Sequence, residues 1–225
     1  MERLKLIVDS LPFLLKGTLV TVQLTVLSLL LGLVIAVPVS FLQVYGGRVN
    51  RVICSIYEKT FRSIPLLVLL MLIFYGLPEI GIRLEPFFAC VLGLGIRSSA
   101  YQSQIFRGAI LSVPKGQTLA AYSLGMSKIQ TFWHVIFPQA LRFSIAPWTN
   151  ELTVVLKDSS MAYALGVVEL LRQGSYIVAR TYEPMLIFLT CAAIYLILTV
   201  SANKIFATIE KKLTIPGFEM REVPH

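Results

Sequence analysis

The sequence contains few charged residues. Only 14% of its 225 residues are Asp, Glu, Lys or Arg, whereas an ordinary soluble domain has about 25%. Hydrophobic residues make up 56% of the chain and the mean hydropathy is +0.76. This composition is typical of an all-α integral membrane protein. Since no polar stretch is long enough for a further soluble domain, we expect a single transmembrane domain over residues 1–225.

Cysteine, histidine and nucleotide-binding motifs are also scarce. Cys54, Cys90 and Cys191 are widely spaced within apolar runs, which indicates small core residues rather than a disulfide or a metal site. His134 and His225 suggest neither a metal ligand nor a catalytic base. The pattern Gly-x4-Gly-Lys-Ser/Thr is missing, so the sequence has no phosphate-binding loop. We therefore expect no enzyme activity and no cofactor in this chain.

Five apolar segments approach the length of about 20 residues that a spanning helix needs. The first and fifth are free of charge except at their ends, whereas the middle three contain charges or proline. In the second segment, Pro65 closely follows Arg62 and predicts a kink. The predicted helices cover residues 17–41, 52–77, 86–106, 143–157 and 184–204.

The net charge of +8 is concentrated between the apolar segments. Lys and Arg are enriched after the first segment, after the third and in the C-terminal tail. By the positive-inside rule the N-terminus is outside and the C-terminus inside. This distribution indicates contact with a lipid bilayer and not with nucleic acid. It also places the long loop 107–142 in the cytoplasm.

The cytoplasmic loop 107–142 has the pattern of two short helices. Residues 117–124 form the first, with Gly125 as a C-terminal cap. Ser127 and Gln130 form a capping box for the second, which is expected to end at Pro138. Apolar residues in this second helix recur every three or four positions, so one face is buried. Periodicity alone allows that face to pack on its own bundle or to dock a partner.

Two opposite charges lie inside predicted spanning helices. Arg97 is ten residues before Arg107 and Glu151 is nine residues after Arg142, so both are about 13–15 Å from the cytoplasmic ends of their helices. A charge at this depth needs a partner or a wet cavity. One interpretation is a structural ion pair. The other is a site for a zwitterionic amino acid, with neutral hydrogen bonds from further residues: Ser98, Ser99, Tyr101 and Asn150.

The loop also carries a family motif. Ala120-Ala121, Gly125, nine intervening residues and then Val135-Ile-Phe-Pro138 resemble the EAA loop of ABC-importer permeases, with Leu119 where the family usually has Glu. The resemblance extends along most of the chain and is closest to the polar amino-acid branch, the histidine, arginine, glutamine and cystine type. Further matching segments are Phe61-Arg-Ser-Ile-Pro-Leu-Leu67, Ser99-Ala-Tyr101, Arg107-Gly-Ala-Ile110, Pro138-Gln-Ala140 and Lys157-Asp-Ser-Ser160.

This resemblance implies a type I ABC-importer permease fold in a prokaryotic inner membrane. It implies a second permease subunit, identical or related, two ABC ATPase subunits that bind ATP and Mg, and an external amino-acid-binding protein. The residues expected to contact the ATPase are Leu119, Ala120, Ala121, Leu124 and Gly125. Lys157, Asp158 and Ser159 close the fourth helix on the outside, where they form either an outer gate or a solvated helix end.

Two other classes remain open on the sequence. An ion-coupled transporter or channel would usually show two halves of repeated topology, and five predicted spans show no such repeat. A non-transporting scaffold would need neither opposite charges at one depth nor a docking loop. We therefore expect an ATP-driven importer permease for polar amino acids.

Overall fold

The computed structural model describes residues 2–213, and these are helical over most of their length. Helices are the expected elements because the backbone polar groups of a membrane chain must be bonded internally. The elements are α1 (Glu2–Tyr45), α2 (Arg48–Ser63), α3 (Leu66–Met71), a π-helical turn (Leu72–Gly76), a 3-10 turn (Leu77–Ile80), α4 (Pro86–Ser112), α5 (Lys115–Ser123), α6 (Lys128–Thr131), a second π-helical turn (Phe132–Ile136), α7 (Phe137–Asp158), a second 3-10 turn (Ser159–Leu165), α8 (Leu170–Thr181) and α9 (Pro184–Leu213). His225 lies outside the described residues.

Two or three of these elements meet the length and hydropathy of a membrane span. Helix α1 has 44 residues and α9 has 30, and both are apolar enough to cross a bilayer. The bent pair formed by α2 and the segment Leu66–Ile80 qualifies if it is counted as one span. Helices α4 and α7 have 27 and 22 residues, which is long enough for a span. The count of five spans and the orientation therefore stay predictions.

Helix α1 is longer than the predicted segment 17–41 at both ends and continues through Pro12 and Pro38. Its buried face is made largely of small residues, among them Gly17, Thr21 and Ser28. Small residues allow close approach of helices in a membrane bundle. This face packs along α4, where a Cβ at Gly32 would lie 2.5 Å from Nε2 of Gln102.

The second predicted helix is broken at Pro65. Helix α2 ends at Ser63, and Ile64 is extended with φ −74° and ψ 127°, because the ring of a proline disfavours helical backbone at the preceding residue. The two halves are bent by 104°. The kink predicted at Pro65 is confirmed, and it is a complete break, so residues 52–77 form separate helical segments rather than one kinked helix. The turned segment packs Leu66, Leu69 and Leu70 into a core with α4.

The caps predicted in the loop 107–142 are confirmed. Gly125 has a φ of +77° and its N–H donates to the carbonyl oxygen of Tyr122 at 2.9 Å. The capping box of Ser127 and Gln130 is present. However, Pro138 does not end a helix. It lies in the first turn of α7, where a proline removes no needed hydrogen bond, so the fourth helix begins at Phe137 rather than at residue 143.

Candidate functional site

The ion pair of Arg97 joins α4 to the end of α7. Its Nη1 donates to Oδ2 of Asp158 at 2.5 Å, and the two side chains are 22% and 25% exposed. Asp158 lies seven residues after Glu151, which is two helical turns on the same face of α7. The ion pair between Arg97 and Glu151 that the sequence allowed is therefore wrong. The Nε of Arg97 is buried and has no hydrogen-bond partner among the described residues.

Tyr101 lies between two guanidinium groups. The Cζ of Arg62 is 4.9 Å from the centroid of its ring and the Cζ of Arg97 is 5.2 Å away. Both distances are within the range of cation–π contacts. Arg62 also pairs with Glu58 one turn earlier on α2, as their spacing predicts. The sequence gave Arg62 no role in the site, because α2 was not expected to end beside Tyr101.

Glu151 is buried and contacts α4 through Ser98. The Oγ of Ser98 donates to Oε1 of Glu151 at 2.7 Å. This contact confirms that positions 97–98 and 151 lie at the same level of the bundle, as counting of helical rise predicted. Arg97 and Glu151 thus border the same region of the α4–α7 interface, with Arg97 directed toward the end of α7.

Gln102 connects this region to the rest of the bundle and was missed from the sequence. Its Nε2 donates to the carbonyl oxygen of Leu29 at 3.2 Å and to Oγ of Ser98 at 3.0 Å, and its Oε1 accepts from Nε1 of Trp148 at 2.9 Å. The side chain is fully buried. An amide one turn after Ser98 in an apolar helix is the signal that could have identified it. Gln102 therefore joins α1, α4 and α7.

The remaining predicted site residues are distributed differently. Ser99 is buried and shares a 2.5 Å hydrogen bond with the hydroxyl of Tyr57, so it faces α2 rather than Glu151. Asn150 is on an exposed face of α7. Lys157 is exposed, whereas Ser159 is buried and donates to the carbonyl oxygen of Leu156. The three predicted gate residues thus have three different environments, and only Asp158 joins the charged group.

The predicted ATPase-contact residues lie on α5 and its cap. Leu119 is 65% exposed and Leu124 is 83% exposed, and Ala120 and Gly125 are also exposed. Ala121 is buried. An exposed pair of large apolar side chains on a short helix is typical of an interaction surface.

The periodicity of the turn Phe132–Ile136 allowed packing on its own bundle or docking of a partner, and the structure has side chains suited to each. Phe132 and Ile136 are buried against the bundle, and the ring of Phe132 packs on Phe41 with centroids 4.8 Å apart. Trp133, in contrast, is half exposed, and so is Ile129 in the preceding helix α6. One side therefore packs on the chain itself, and the other remains available.

Glu169 anchors the segment between α7 and α9. It is fully buried at the N-cap of α8, where its carboxylate accepts from the backbone N–H groups of Leu171 and Arg172 and from the hydroxyl of Tyr195. Burial raises the pKa of this carboxyl, and the hydrogen bonds it accepts oppose the rise. The sequence gave no expectation for Glu169. It fixes α8 against α9.

No group of three or more His, Cys, Asp or Glu residues within residues 2–213 is arranged to hold a metal ion. The charged group of Arg62, Arg97, Asp158 and Glu151, with Tyr101 between the guanidiniums, can bind an ion or a zwitterion by charge and hydrogen bonds. These side chains offer both signs of charge within one region of the α2–α4–α7 bundle.

Comparisons with known proteins agree with this architecture. The model of the family described as "Binding-protein-dependent transport system inner membrane component" matches residues 28–215. The L-cystine transport system permease protein TcyB of Bacillus subtilis is 37% identical over 203 residues, covering 90% of this chain and 87% of that protein. The glutamine transport system permease protein GlnP of Escherichia coli is 35% identical over 208 residues, covering 92% and 95%.

Solved structures show the same fold. The crystal structure of an amino acid ABC transporter with histidines has a chain that matches with a TM-score of 0.83 and 32% identity, covering 92% of this chain and 96% of that one. An inward-facing structure of the MetNI methionine ABC transporter matches with a TM-score of 0.78 over 90% of this chain and 97% of that one, at 24% identity.

Proposed function

This chain belongs to the family of binding-protein-dependent transport system inner membrane components, and we propose from this premise that it forms the translocation path of an ATP-driven importer for polar amino acids. Its similar proteins are cystine and glutamine permeases, and its structural neighbour is an amino acid ABC transporter. The chain is accordingly a permease subunit of an amino-acid ABC importer. We propose that residues 1–225 form one permease domain with five spans.

The observation that carries the proposed substrate site is the unpaired Nε of Arg97. A buried donor without an acceptor is unfavourable, and the α-carboxylate of an amino acid would supply the acceptor. Arg62, which contacts the same Tyr101 ring, adds a second positive charge. Asp158 and Glu151 supply the negative charges that an α-ammonium group needs. A zwitterion thus finds partners of both signs.

The Arg97–Asp158 pair gives Arg97 an internal partner. Asp158 accepts a hydrogen bond from Nη1 of Arg97. A substrate carboxylate that binds Arg97 would compete with Asp158, so the end of α7 would be released from α4. Glu151, two turns before Asp158 on α7, and its hydrogen-bond partner Ser98 on α4 are the next polar groups on the proposed inward path. We propose that Lys157 and Ser159, the neighbours of Asp158 in the chain, form the outer gate together with it.

The exposed surface of α5 is the proposed contact with the ATPase. Leu119 and Leu124 are its most prominent side chains, and a partner that covers them would remove apolar surface from water. ATP and Mg would be bound by that partner. A second permease subunit and an external amino-acid-binding protein complete the proposed assembly.

The test is uptake by the reconstituted complex with its ATPase and binding protein. Arg97→Ala and Glu151→Ala are each expected to abolish amino-acid uptake while the basal ATP hydrolysis of the complex persists. Lys59→Gln is the matched control, because Lys59 is an exposed charge on α2 between Glu58 and Arg62, and it should keep most of the uptake. Normal uptake by both alanine variants would refute the substrate site.

A further inference from the structure

An apolar groove of about 300 Å³ runs between α7 and α9, and its lining residues on α7 all precede Glu151. Residues of α1 and α4 form its floor. The lining residues that carry the argument are Phe106, Leu141, Ile145, Trp148, Phe206 and Ile209. None of the functions assigned above uses this groove.

The polar atoms in the groove wall are occupied elsewhere. The hydroxyl of Ser144 donates to the carbonyl oxygen of Leu141 at 2.8 Å, and the indole N–H of Trp148 donates to Gln102 at 2.9 Å. Apart from Arg142 at one end, the wall therefore presents hydrocarbon and ring surfaces. A polar solute would lose its hydration there without gaining a hydrogen bond. The occupant that fits is a hydrocarbon chain.

The groove is elongated along the helix axes. Its lining residues extend from Leu141 to Trp148 on α7 and from Phe206 to Leu213 on α9, which is roughly 10 Å of helix on each side. Trp148 and Phe206 pack together with ring centroids 5.4 Å apart and form the deep end. The other end opens where α7 begins and α9 ends, which is the cytoplasmic side in the predicted orientation.

Positive charge surrounds the open end. Arg142 lines the groove and is exposed. Its guanidinium group has no hydrogen bond or ion pair with another side chain in the part of the chain that the structure describes. Lys211 and Lys212 are exposed in the last turn of α9, beside the lining residue Leu213. An occupant with an apolar chain and an anionic head group complements both ends.

We propose that this groove binds one acyl chain of an anionic phospholipid whose phosphate contacts Arg142. The proposal rests on the membrane placement of the proposed permease, since only then does the groove meet the inner leaflet. Anionic lipids are attracted to Lys and Arg at the cytoplasmic surface. A second copy of the chain fits less well. A two-fold contact on this face would bring the basic residues Arg142, Lys211 and Lys212 of the two copies close together, and these like charges would repel.

The experiment measures phospholipid binding to the purified full-length permease complex by native mass spectrometry. Phosphatidylglycerol is titrated against phosphatidylcholine with the same acyl chains, and inorganic phosphate is titrated alone. We expect phosphatidylglycerol to bind more tightly, and Arg142→Gln to weaken its binding about fivefold, as one lost contact of about 1 kcal/mol requires. Ile145→Trp, which fills the groove, should weaken the binding of both lipids.

Arg48→Gln is the matched control, since it removes an exposed arginine at the start of α2 on the same predicted side of the membrane. It should leave phosphatidylglycerol binding unchanged. Equal losses in Arg48→Gln and Arg142→Gln would overturn the site in favour of general surface attraction. Binding of inorganic phosphate with the same Arg142 dependence would overturn the lipid assignment. A change in oligomeric mass with Ile145→Trp and no change in lipid binding would assign the groove to a second copy.

Lipid binding and transport are separate readouts. If Arg97→Ala has normal uptake and phosphatidylglycerol binding depends on Arg142, the substrate site is rejected and the lipid groove is supported. If Arg97→Ala loses uptake and lipid binding does not depend on Arg142, the lipid groove is rejected and the substrate site is supported.

Discussion

Arg97 shows how a single charged residue is accommodated inside this bundle. Its counter-ion is Asp158, its guanidinium lies near the ring of Tyr101, and one of its nitrogens has no acceptor in the described chain. A guanidinium at this depth is unfavourable unless its charge is compensated. The stability of the α4–α7 contact should therefore depend on Asp158 more than on its neighbours along α7.

Asp158→Asn is expected to lower the free energy of unfolding by about 1–2 kcal/mol, because it keeps the shape of the side chain and removes the charge that compensates Arg97. The partial exposure of both side chains limits the loss. The measurement is a thermal melt of the purified permease in detergent. The double variant Arg97→Gln/Asp158→Asn should recover part of the loss, since no uncompensated charge then remains.

The control for this pair is Lys157→Gln, which removes the adjacent exposed charge and should change the melting temperature little. If the effects of Arg97→Gln and Asp158→Asn are simply additive, the two side chains do not stabilise each other.

The sequence predicted some of these residue contacts and not others. Counting the rise along each helix placed Arg97 and Glu151 at one level, and the Ser98–Glu151 contact has that geometry. The partner of Arg97 could not be predicted, because Glu151 and Asp158 lie on the same face of α7 and the direction in which the guanidinium extends along that face decides between them. Gln102 and Glu169 were missed because each also contacts helices distant in sequence, α1 for Gln102 and α9 for Glu169.

At the scale of the helices, close packing of α1 against the start of α8 depends on Gly17. A Cβ at Gly17 would lie 2.9 Å from the carbonyl oxygen of Glu169 and 2.9 Å from Cα of Leu170. Both are backbone atoms, which cannot move aside as a flexible side chain can. The contact therefore sets the distance between α1 and the start of α8.

Gly17→Ala is expected to destabilise the permease by about 1–3 kcal/mol, because the added methyl group overpacks this contact. Gly108→Ala is the matched control within α4, since a Cβ there meets no atom within 4 Å and alanine favours a helix over glycine. Gly108→Ala should leave stability unchanged or raise it. Both are measured by thermal melts, and equal melting temperatures for the two variants would contradict a tight contact at Gly17.

The exposed leucines of α5 are expected to matter for assembly and not for folding. Leu119→Ser and Leu124→Ser together should reduce copurification of the ATPase subunit at least about tenfold, since two apolar side chains contribute more than about 1.4 kcal/mol when buried in an interface. The melting temperature of the isolated permease should stay within about 2 °C, because surface substitutions change stability little. Leu4→Ser, which changes an exposed leucine at the other end of the chain, is the control. Unchanged copurification would exclude α5 as the ATPase contact.

Local signals in the sequence predicted helix ends better than helix directions. The cap at Gly125 and the capping box at Ser127 depend on neighbouring residues only, and both are present. Pro65 predicted a break but not its angle of 104°, which depends on how α3 packs in the core. Pro138 was misread because a proline is equally suited to the first turn of a helix and to the position after its end.

On the scale of the whole molecule, the charged residues inside α4 and α7 explain why hydropathy identifies fewer spans than the five that we predict. Helices α4 and α7 extend over roughly 40 Å and 33 Å, which is enough to cross a bilayer core of about 30 Å. Their central charged residues lower the hydropathy of any window. Yet Arg97 pairs with Asp158, and Glu151 is buried against Ser98. Such helices can cross a membrane while failing a test based on composition.

Cysteine accessibility tests the arrangement with five spans against those with two or three. The native cysteines Cys54, Cys90 and Cys191 are all buried, so a thiol reagent should report mainly on introduced positions. The introduced cysteines replace exposed residues in four segments: Arg83→Cys, Ser123→Cys, Arg180→Cys and Lys212→Cys. A membrane-impermeant maleimide is applied to intact cells and, separately, to permeabilised cells.

Five spans with the N-terminus outside predict that Arg83→Cys and Arg180→Cys react in intact cells, whereas Ser123→Cys and Lys212→Cys react only after permeabilisation. If only α1 and α9 crossed the membrane, Arg83→Cys and Arg180→Cys would be protected and Lys212→Cys would react from outside. If the bent pair of α2 and Leu66–Ile80 were added as a third span, Ser123→Cys would react from outside. Only five spans place Arg83 outside and Ser123 inside, so these two positions together decide whether α4 and α7 span the membrane. The position of Ser123 by itself tests whether α5 can meet a cytoplasmic ATPase.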